Sequence, residues 1–356
     1  MSTGSPIFDP SDAFLAPLIR YLRDHPKRIA FPDGNDARVL RVAAELVKLG
    51  VVAPILLGRR EEIHATARAA GVKMDFIGII DPQQSADFTL FCERFRKVER
   101  YRRVKVDDPA EVMAKPNYYA AMMLQYGYAD GLVGGNLTLP AAFFRALFYM
   151  LKKMPGLDSA GSCLPVTLPQ RPDLGCGGTL FLADCAVIPE PTVNQMAMLA
   201  VETARVAGAL LAETPRVAMI SFSTRGSAQN ASTQRVIAAT ELARDRARQQ
   251  LVPMEIDGEL EVDAAICPAA AAEKAPNSIL NGRASVLVFP GLTAAHSAYK
   301  LLECVAGAET GGQLILGLVR PAAQVSRVAA ERTIFRAAVC TAMRAVAFRE
   351  VITRER

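Results

Sequence analysis

Tryptophan is absent from the 356 residues, and histidine occurs three times, as His25, His64 and His296. Histidines so widely separated offer no metal-ligand spacing, so no metal site is expected. The seven cysteines form no C-x-x-C pair and lie scattered through apolar segments. That fits buried, reduced thiols in a cytoplasmic protein. The longest apolar helical pattern, MAMLAVETARVAGALLA, is interrupted by Glu202 and Arg205, which excludes a simple membrane span. The N-terminal MSTGSPIFDPSD has neither the basic region nor the apolar stretch of a signal peptide. The net charge of +5 is spread along the chain, with no stripe of Lys and Arg interleaved with aromatics. Nucleic acid is therefore not an expected partner, whereas an anionic small ligand suits the charge.

What is present is an alternation of strand and helix patterns. RIAF reads as a buried strand, PDGND as a turn and ARVLRVAAELVKLG as an amphipathic helix closed by Gly50. VVAPILLG, REEIHATARAAG and FIGII continue the series as strand, helix and strand. This βαβαβ order predicts a mostly parallel sheet covered by helices. Residues 88–128 read as helical, and ADGLVGG as a strand entering a glycine turn. Beyond MLKKMPGLD the rhythm resumes. GTLFLADCAVIP is a strand pair or one long strand, and PTVNQMAMLAVETARVAGALLA is a helix with Pro191 in its first turn. RVAMISF, ASVLVFP and QLILGLV are further strands, each followed by a helix, and AAICPAAAAEKAP is helical or a compact turn. A chain of this length favours two domains, because single cores stop growing near roughly 250–300 residues. The shift at KKMPGLD, near residues 152–158, marks the boundary.

Ligands of parallel α/β sheets bind beyond the carboxyl ends of the strands, and four loops qualify. PDGND lacks dinucleotide-type glycine spacing, so Asp36 reads as a helix N-cap. STRGSAQN brings together Ser223, Thr224, Arg225 and Gly226 before a helix, a set suited to a phosphate or carboxylate or to a capped, solvated loop. FPGLTAAHSAYK is rich in small residues and suggests close packing. QVSRVAAERTIF follows a proline turn and presents Ser326 and Arg327 at the start of a helical pattern. A hydroxyl beside a guanidinium there is suited to an anion or a developing oxyanion. No carboxylate follows Ser326 by one helical turn, and Thr333 stands two turns on. Arg96 and Arg145 lie in helical segments, with Arg145 expected at a helix start close to ADGLVGGN.

Taken in order, RIAFPDGNDARVLRVAA, ADGLVGGN with Arg145 beyond it, FLADCAVIPEPT, PRVAMISFSTRGS, IDGELEVDAA, VLVFPGL with AYK, and LGLVRP with SR form a set. It resembles the phosphate acetyltransferase (phosphotransacetylase) and phosphate butyryltransferase family from about residue 28 onward. The resemblance implies two three-layer αβα domains with mostly parallel sheets and a cleft between them, as in isocitrate and isopropylmalate dehydrogenases. It places residues 1–154 and 307–356 in the first domain and residues 155–306 in an inserted second one. It further implies a homodimer and metal-free transfer of an acetyl or other short acyl group between coenzyme A and phosphate, with coenzyme A as substrate and no covalently bound cofactor. Acyl phosphate, phosphate and coenzyme A are then the small-molecule partners. In that family an aspartate deprotonates the thiol, a serine stabilises the oxyanion, and arginines hold phosphate.

Carried over by position, Ser326 and Arg327 match the family's Ser-Arg pair, with Val328 in place of its glycine. Thr333 occupies the position of the aspartate base. Arg96 and Arg145 match substrate arginines, and Ala146 replaces a proline. The family's FPDLNAGN reads FPGLTAAH, Gly312 replaces the proline of its GP, and AAQ at 322–324 replaces its VND. Scaffold motifs are thus kept while the loops change. Glu331 is two residues from Thr333, about 200° around a helix, so it faces away. Histidine titrates near neutrality, which makes His296, in place of an asparagine, the alternative proton acceptor. Ser223, Thr224, Arg225 and His296 join the arginines as substrate-binding candidates. Two readings follow: an acyltransferase weakened by loss of its base, or a catalytically inactive coenzyme A or acyl-CoA sensor. A dehydrogenase of the related type is disfavoured by the absence of its metal-binding aspartates.

Overall fold

The computed structural model describes residues 6–102 and 108–354. It divides into two compact units, drawn from Met1–Lys152 with Leu318–Arg356 and from Lys153–Gly317. The first unit opens with α1 (Leu15–Asp24), β1 (Lys27–Phe31), α2 (Ala37–Leu49), β2 (Val52–Leu57), α3 (Arg60–Ala69) and β3 (Gly78–Ile80). α4 (Phe88–Arg102), α5 (Pro109–Met113), α6 (Pro116–Gln125), β4 (Gly131–Gly134) and α7 (Pro140–Met150) follow. Both ends of α2 have a local cause. The Asp36 carboxylate accepts from the Arg38 N–H at 2.8 Å, and Gly50 closes the helix at φ 72°, where a glycine carries no steric cost. Between them Val39, Leu40, Val42, Ala43 and Leu46 form the buried stripe.

The second unit contains β5 (Gly161–Thr167), β6 (Thr179–Ala183), α8 (Val193–Leu211), β7 (Arg216–Ile220), α9 (Ala231–Gln249) and β8 (Glu255–Leu260). It continues with α10 (Val262–Ile266), α11 (Pro268–Lys274), β9 (Val286–Val288), α12 (Leu292–Ala306), β10 (Glu309–Thr310) and β11 (Gln313–Leu316). Its strands run in the order β11-β5-β6-β9-β7-β8. The β6–β9–β7–β8 side is parallel. β5 is antiparallel to β6, β10 and β11. Residues 307–317, expected in the first domain, therefore sit in the second, held by the ladders of β10 and β11 to β5. Of GTLFLADCAVIP only the five residues Thr179–Ala183 are strand, after which the buried Asp184 carboxylate caps the N–H groups of Ala186, Val187 and Ile188. α8 starts after a capping box of Thr192 and Gln195, so Pro191 precedes the helix rather than occupying its first turn.

The chain re-enters the first unit as β12 (Ala322–Gln324) and α13 (Glu331–Arg354). β12 pairs with β4 in parallel, which completes the order β3-β2-β1-β4-β12, parallel throughout. α13 carries a fully buried guanidinium, Arg336, whose charge is matched by the Asp12 carboxylate at 2.6 Å. A buried ion without such a partner would be strongly destabilising. Cys163, Cys185 and Cys340 are buried, Cys92 and Cys176 half-buried, and all cysteines are free. Burial pushes the Cys340 thiol up to about 12, which makes it inert. Cys267 and Cys304 are exposed, contrary to the expectation of buried thiols. Among the described residues, no helix is long and apolar enough to cross a membrane.

Candidate functional site

β1, β4 and β12 are parallel neighbours, so their C-terminal ends bring the loops at 32–36, 135–139 and 325–330 to one edge of the sheet. Two aspartates fix that edge. The buried Asp33 carboxylate accepts from the N–H groups of Gly135 (2.8 Å) and Asn136 (3.2 Å) and from the Thr138 hydroxyl (3.4 Å). Burial pushes its carboxyl above the ordinary value, and those hydrogen bonds partly oppose the shift. Asp36, beyond its capping role, accepts from the Asn136 side-chain amide at 2.7 Å. Burial alone would raise the Asp36 carboxyl, but the Arg38 guanidinium and the Asn136 amide hold it below its usual value. Gly135 adopts φ 103°, and a Cβ there would stand 3.0 Å from the Val325 carbonyl oxygen. The β4 and β12 loops thus meet closely enough to require a glycine.

Arg38 joins the third loop to the other two. Its Nη1 donates to the carbonyl oxygens of Arg327 (2.9 Å) and Ala329 (2.8 Å). Its Nη2 donates to Asp36 (2.6 Å) and to the Asn136 carbonyl (3.3 Å). About one helical turn further along α2, Arg41 pairs with Glu331 at 2.6 Å. The stretch 326–329 is thereby held as a tight turn, closed by the Ala329 N–H on the Ser326 carbonyl at 2.9 Å. Ser326 and Arg327 point into solvent, and the Ser326 hydroxyl accepts from the Val328 N–H at 3.4 Å. A hydroxyl that accepts still has its own hydrogen to donate. The turn therefore displays a donor and a guanidinium side by side.

Two expectations about position change. Ser326 and Arg327 are not on a helix: they lie in the turn that follows β12, and α13 begins only at Glu331. Thr333 lies half-buried in the first turn of α13, so helical periodicity does not relate it to Ser326. Arg145 is exposed in the middle of α7, not at its start, because Pro140 opens that helix after the 135–139 loop. It acts electrostatically on Tyr118, whose hydroxyl is raised by burial and lowered by Arg145. Arg96 is exposed on α4, where its charge lowers the Cys92 thiol against the larger upward effect of burial.

In the second unit, the loop after β7 is occupied by its own chain. Ser223 is fully buried and its hydroxyl donates to Glu259 at 3.0 Å. Thr224 donates to Glu261 at 3.1 Å, Arg225 pairs with Asp257 at 2.6 Å, and the Gly226 N–H reaches Glu259 at 2.7 Å. The donors that read as an anion site are matched to carboxylates of β8 and the residue that follows it. His296 is exposed on α12, edge-on to Tyr299, with Nδ1 3.2 Å from the Cys185 carbonyl. A carbonyl only accepts, so that contact puts the proton on Nδ1 and leaves the lone pair on Nε2. Sequence reasoning missed Asp33, Arg38 and Asn136. The one signal for Arg38 was its position two residues after an N-cap aspartate.

With this geometry stands a match to the phosphate acetyl/butaryl transferase family, whose model covers residues 13–342. The chain belongs to that family. It is 35% identical to a phosphate acetyltransferase of Thermoanaerobacterium thermosaccharolyticum over 329 residues, 92% of this chain and 98% of that protein. The crystal structure of a Streptococcus pyogenes phosphotransacetylase superposes with a TM-score of 0.83 at 32% identity, covering 94% of this chain and 99% of that one. The EutD phosphotransacetylase from Staphylococcus aureus gives a TM-score of 0.82 at 30% identity, with 93% and 99% covered.

Because the Ser223 hydroxyl is spent on a buried carboxylate, Ser223→Ala should lower stability by about 1–3 kcal/mol, the cost of leaving a buried acceptor without its donor. Urea denaturation measures this. Wild-type stability combined with weaker phosphate binding would return Ser223 to the ligand site.

Proposed function

We propose that the protein transfers an acetyl or other short acyl group between coenzyme A and phosphate, using the Ser326–Arg327 turn. The observation that carries this is the turn itself: an exposed hydroxyl and guanidinium, their backbone bonded by Arg38, at the sheet edge of a phosphate acetyl/butaryl transferase. The thiolate of coenzyme A attacks the carbonyl carbon of the acyl phosphate, forming the C–S bond. The resulting oxyanion collapses, the C–O bond to phosphate breaks, and phosphate leaves with that electron pair. Ser326 donates to the oxyanion, a contribution of ~2.7–4 kcal/mol for a fixed donor. Arg327 holds the phosphoryl oxygens, for which its planar fork is suited. Phosphate is a good leaving group, so no general acid is needed.

The thiol proton is the weak point of the scheme. A free thiol has a pKa near about 8.5, and the family's base position holds Thr333. Glu331 is engaged by Arg41, so no carboxylate of the turn's own surroundings stands ready as the acceptor. Arg96 and Arg145 remain candidate substrate-binding arginines, suited by their guanidinium forks to phosphate oxygens. Ser223, Thr224 and Arg225 serve the framework of the second unit. Two copies are expected to pair as a homodimer, and light scattering that gives the single-chain mass at micromolar concentration would count against that. A second reading rests on Thr333: the same turn without a base suits a sensor that binds coenzyme A or acyl-CoA without turning it over. Thioester absorbance with acetyl, propionyl and butyryl phosphate separates the two readings.

Thr333→Asp is expected to raise the rate at neutral pH, within the ~10²–10⁴ range of a general base. The gain should shrink at alkaline pH, where coenzyme A is already thiolate, and a Thr333→Asn control separates charge from polarity. An Asp variant that binds coenzyme A yet gains nothing over wild type would favour the sensor.

A further inference from the structure

We propose that Arg38 is the positioning residue of the Ser326–Arg327 turn, a role that rests on the acyl-transfer reading above. Arginine carries five N–H donors, and in this chain every one is placed. Nε faces Asp36 at 3.1 Å, Nη1 spans the carbonyls of Arg327 and Ala329, and Nη2 takes Asp36 and the Asn136 carbonyl. No donor is left over for a phosphate. Although it is a cation at the edge where an anionic substrate is expected, Arg38 acts on the backbone of the turn and not on the substrate.

The arrangement is directional. Asp36 is itself fixed, because it caps α2 through the Arg38 N–H and accepts the Asn136 amide. That carboxylate orients the guanidinium, and the guanidinium in turn orients two carbonyls that flank Val328. The 327–328 and 329–330 peptide planes are therefore set from α2, across the ends of β1, β4 and β12. Val328 and Ser326 are exposed and give the turn no packing of their own. Lysine keeps the charge beside Asp36, but its three donors radiate from one atom and cannot reproduce the fork.

The test uses the full-length protein, wild type beside Arg38→Lys and Arg38→Gln. It combines amide hydrogen exchange over residues 325–330, thermal melting, and steady-state kinetics with acetyl phosphate and coenzyme A. Exchange in the turn should rise by about tenfold or more in both variants, as a local opening of low stability. kcat should fall by about 10²-fold, the size of loss that a misplacement near 1 Å can cause, while KM for coenzyme A changes little. Arg38→Lys should melt near wild type, so its lower kcat cannot be charged to unfolding, and it decides the matter if Arg38→Gln fails to fold. Unchanged exchange in the turn, or an unchanged kcat in both variants, overturns the proposal. A rise in KM for acetyl phosphate with the turn still protected also overturns it, by making Arg38 a ligand. Absence of turnover in the wild-type protein overturns the acyl-transfer reading alone, and the exchange comparison still decides whether Arg38 anchors the turn.

Discussion

The turn at 326–329 displays its side chains to solvent while two of its carbonyls, those of Arg327 and Ala329, are held by one guanidinium. Arg38 reaches the carbonyls of Arg327 and Ala329 while Asp36 and Asn136 hold it in place. The hydroxyl and guanidinium of the Ser-Arg pair are useful only if the backbone beneath them is stationary, because preorganised donors act without reorganising during the reaction. The strands deliver the three loops to one edge. Asp33 ties the first to the second through Gly135 and Asn136, and Arg38 ties both to the third.

The fold was legible where periodicity and punctuation agree. α2 runs from an aspartate cap to a glycine stop, and its buried stripe has helical spacing. β12 escaped because it is three residues long, reads Ala-Ala-Gln, and carries no β-branched side chain. Its place is set by pairing with β4, a long-range cause that local pattern does not carry. The error about Ser326 followed from it. With β12 unseen, the helix of α13 was started too early, and Thr333 was tied to Ser326 by a periodicity that the turn interrupts. The assignment of β10 and β11 to the second unit was hidden for the same reason: their partner β5 lies far back in the chain.

The two candidate anion loops share residue types but differ in what their donors meet. Ser223, Thr224 and Arg225 have the chemistry of an anion cradle, but Asp257, Glu259 and Glu261 arrive from β8 and its end to take their donors. Ser326 and Arg327 have the same chemistry and stay exposed, because the donors for their turn come from Arg38. In the sequence Arg38 was one more polar residue on a helix face, and nothing local marks it as pointing toward a segment nearly three hundred residues away.

The most direct measurement is a crystal structure of the protein soaked with inorganic phosphate. Phosphate should lie against the Arg327 guanidinium within reach of the Ser326 hydroxyl, with Arg38 still bonded to the carbonyls of residues 327 and 329. Phosphate held instead by an Arg38 that has left those carbonyls, or absent from the Ser326–Arg327 turn while bound elsewhere, would contradict the assignment of the site.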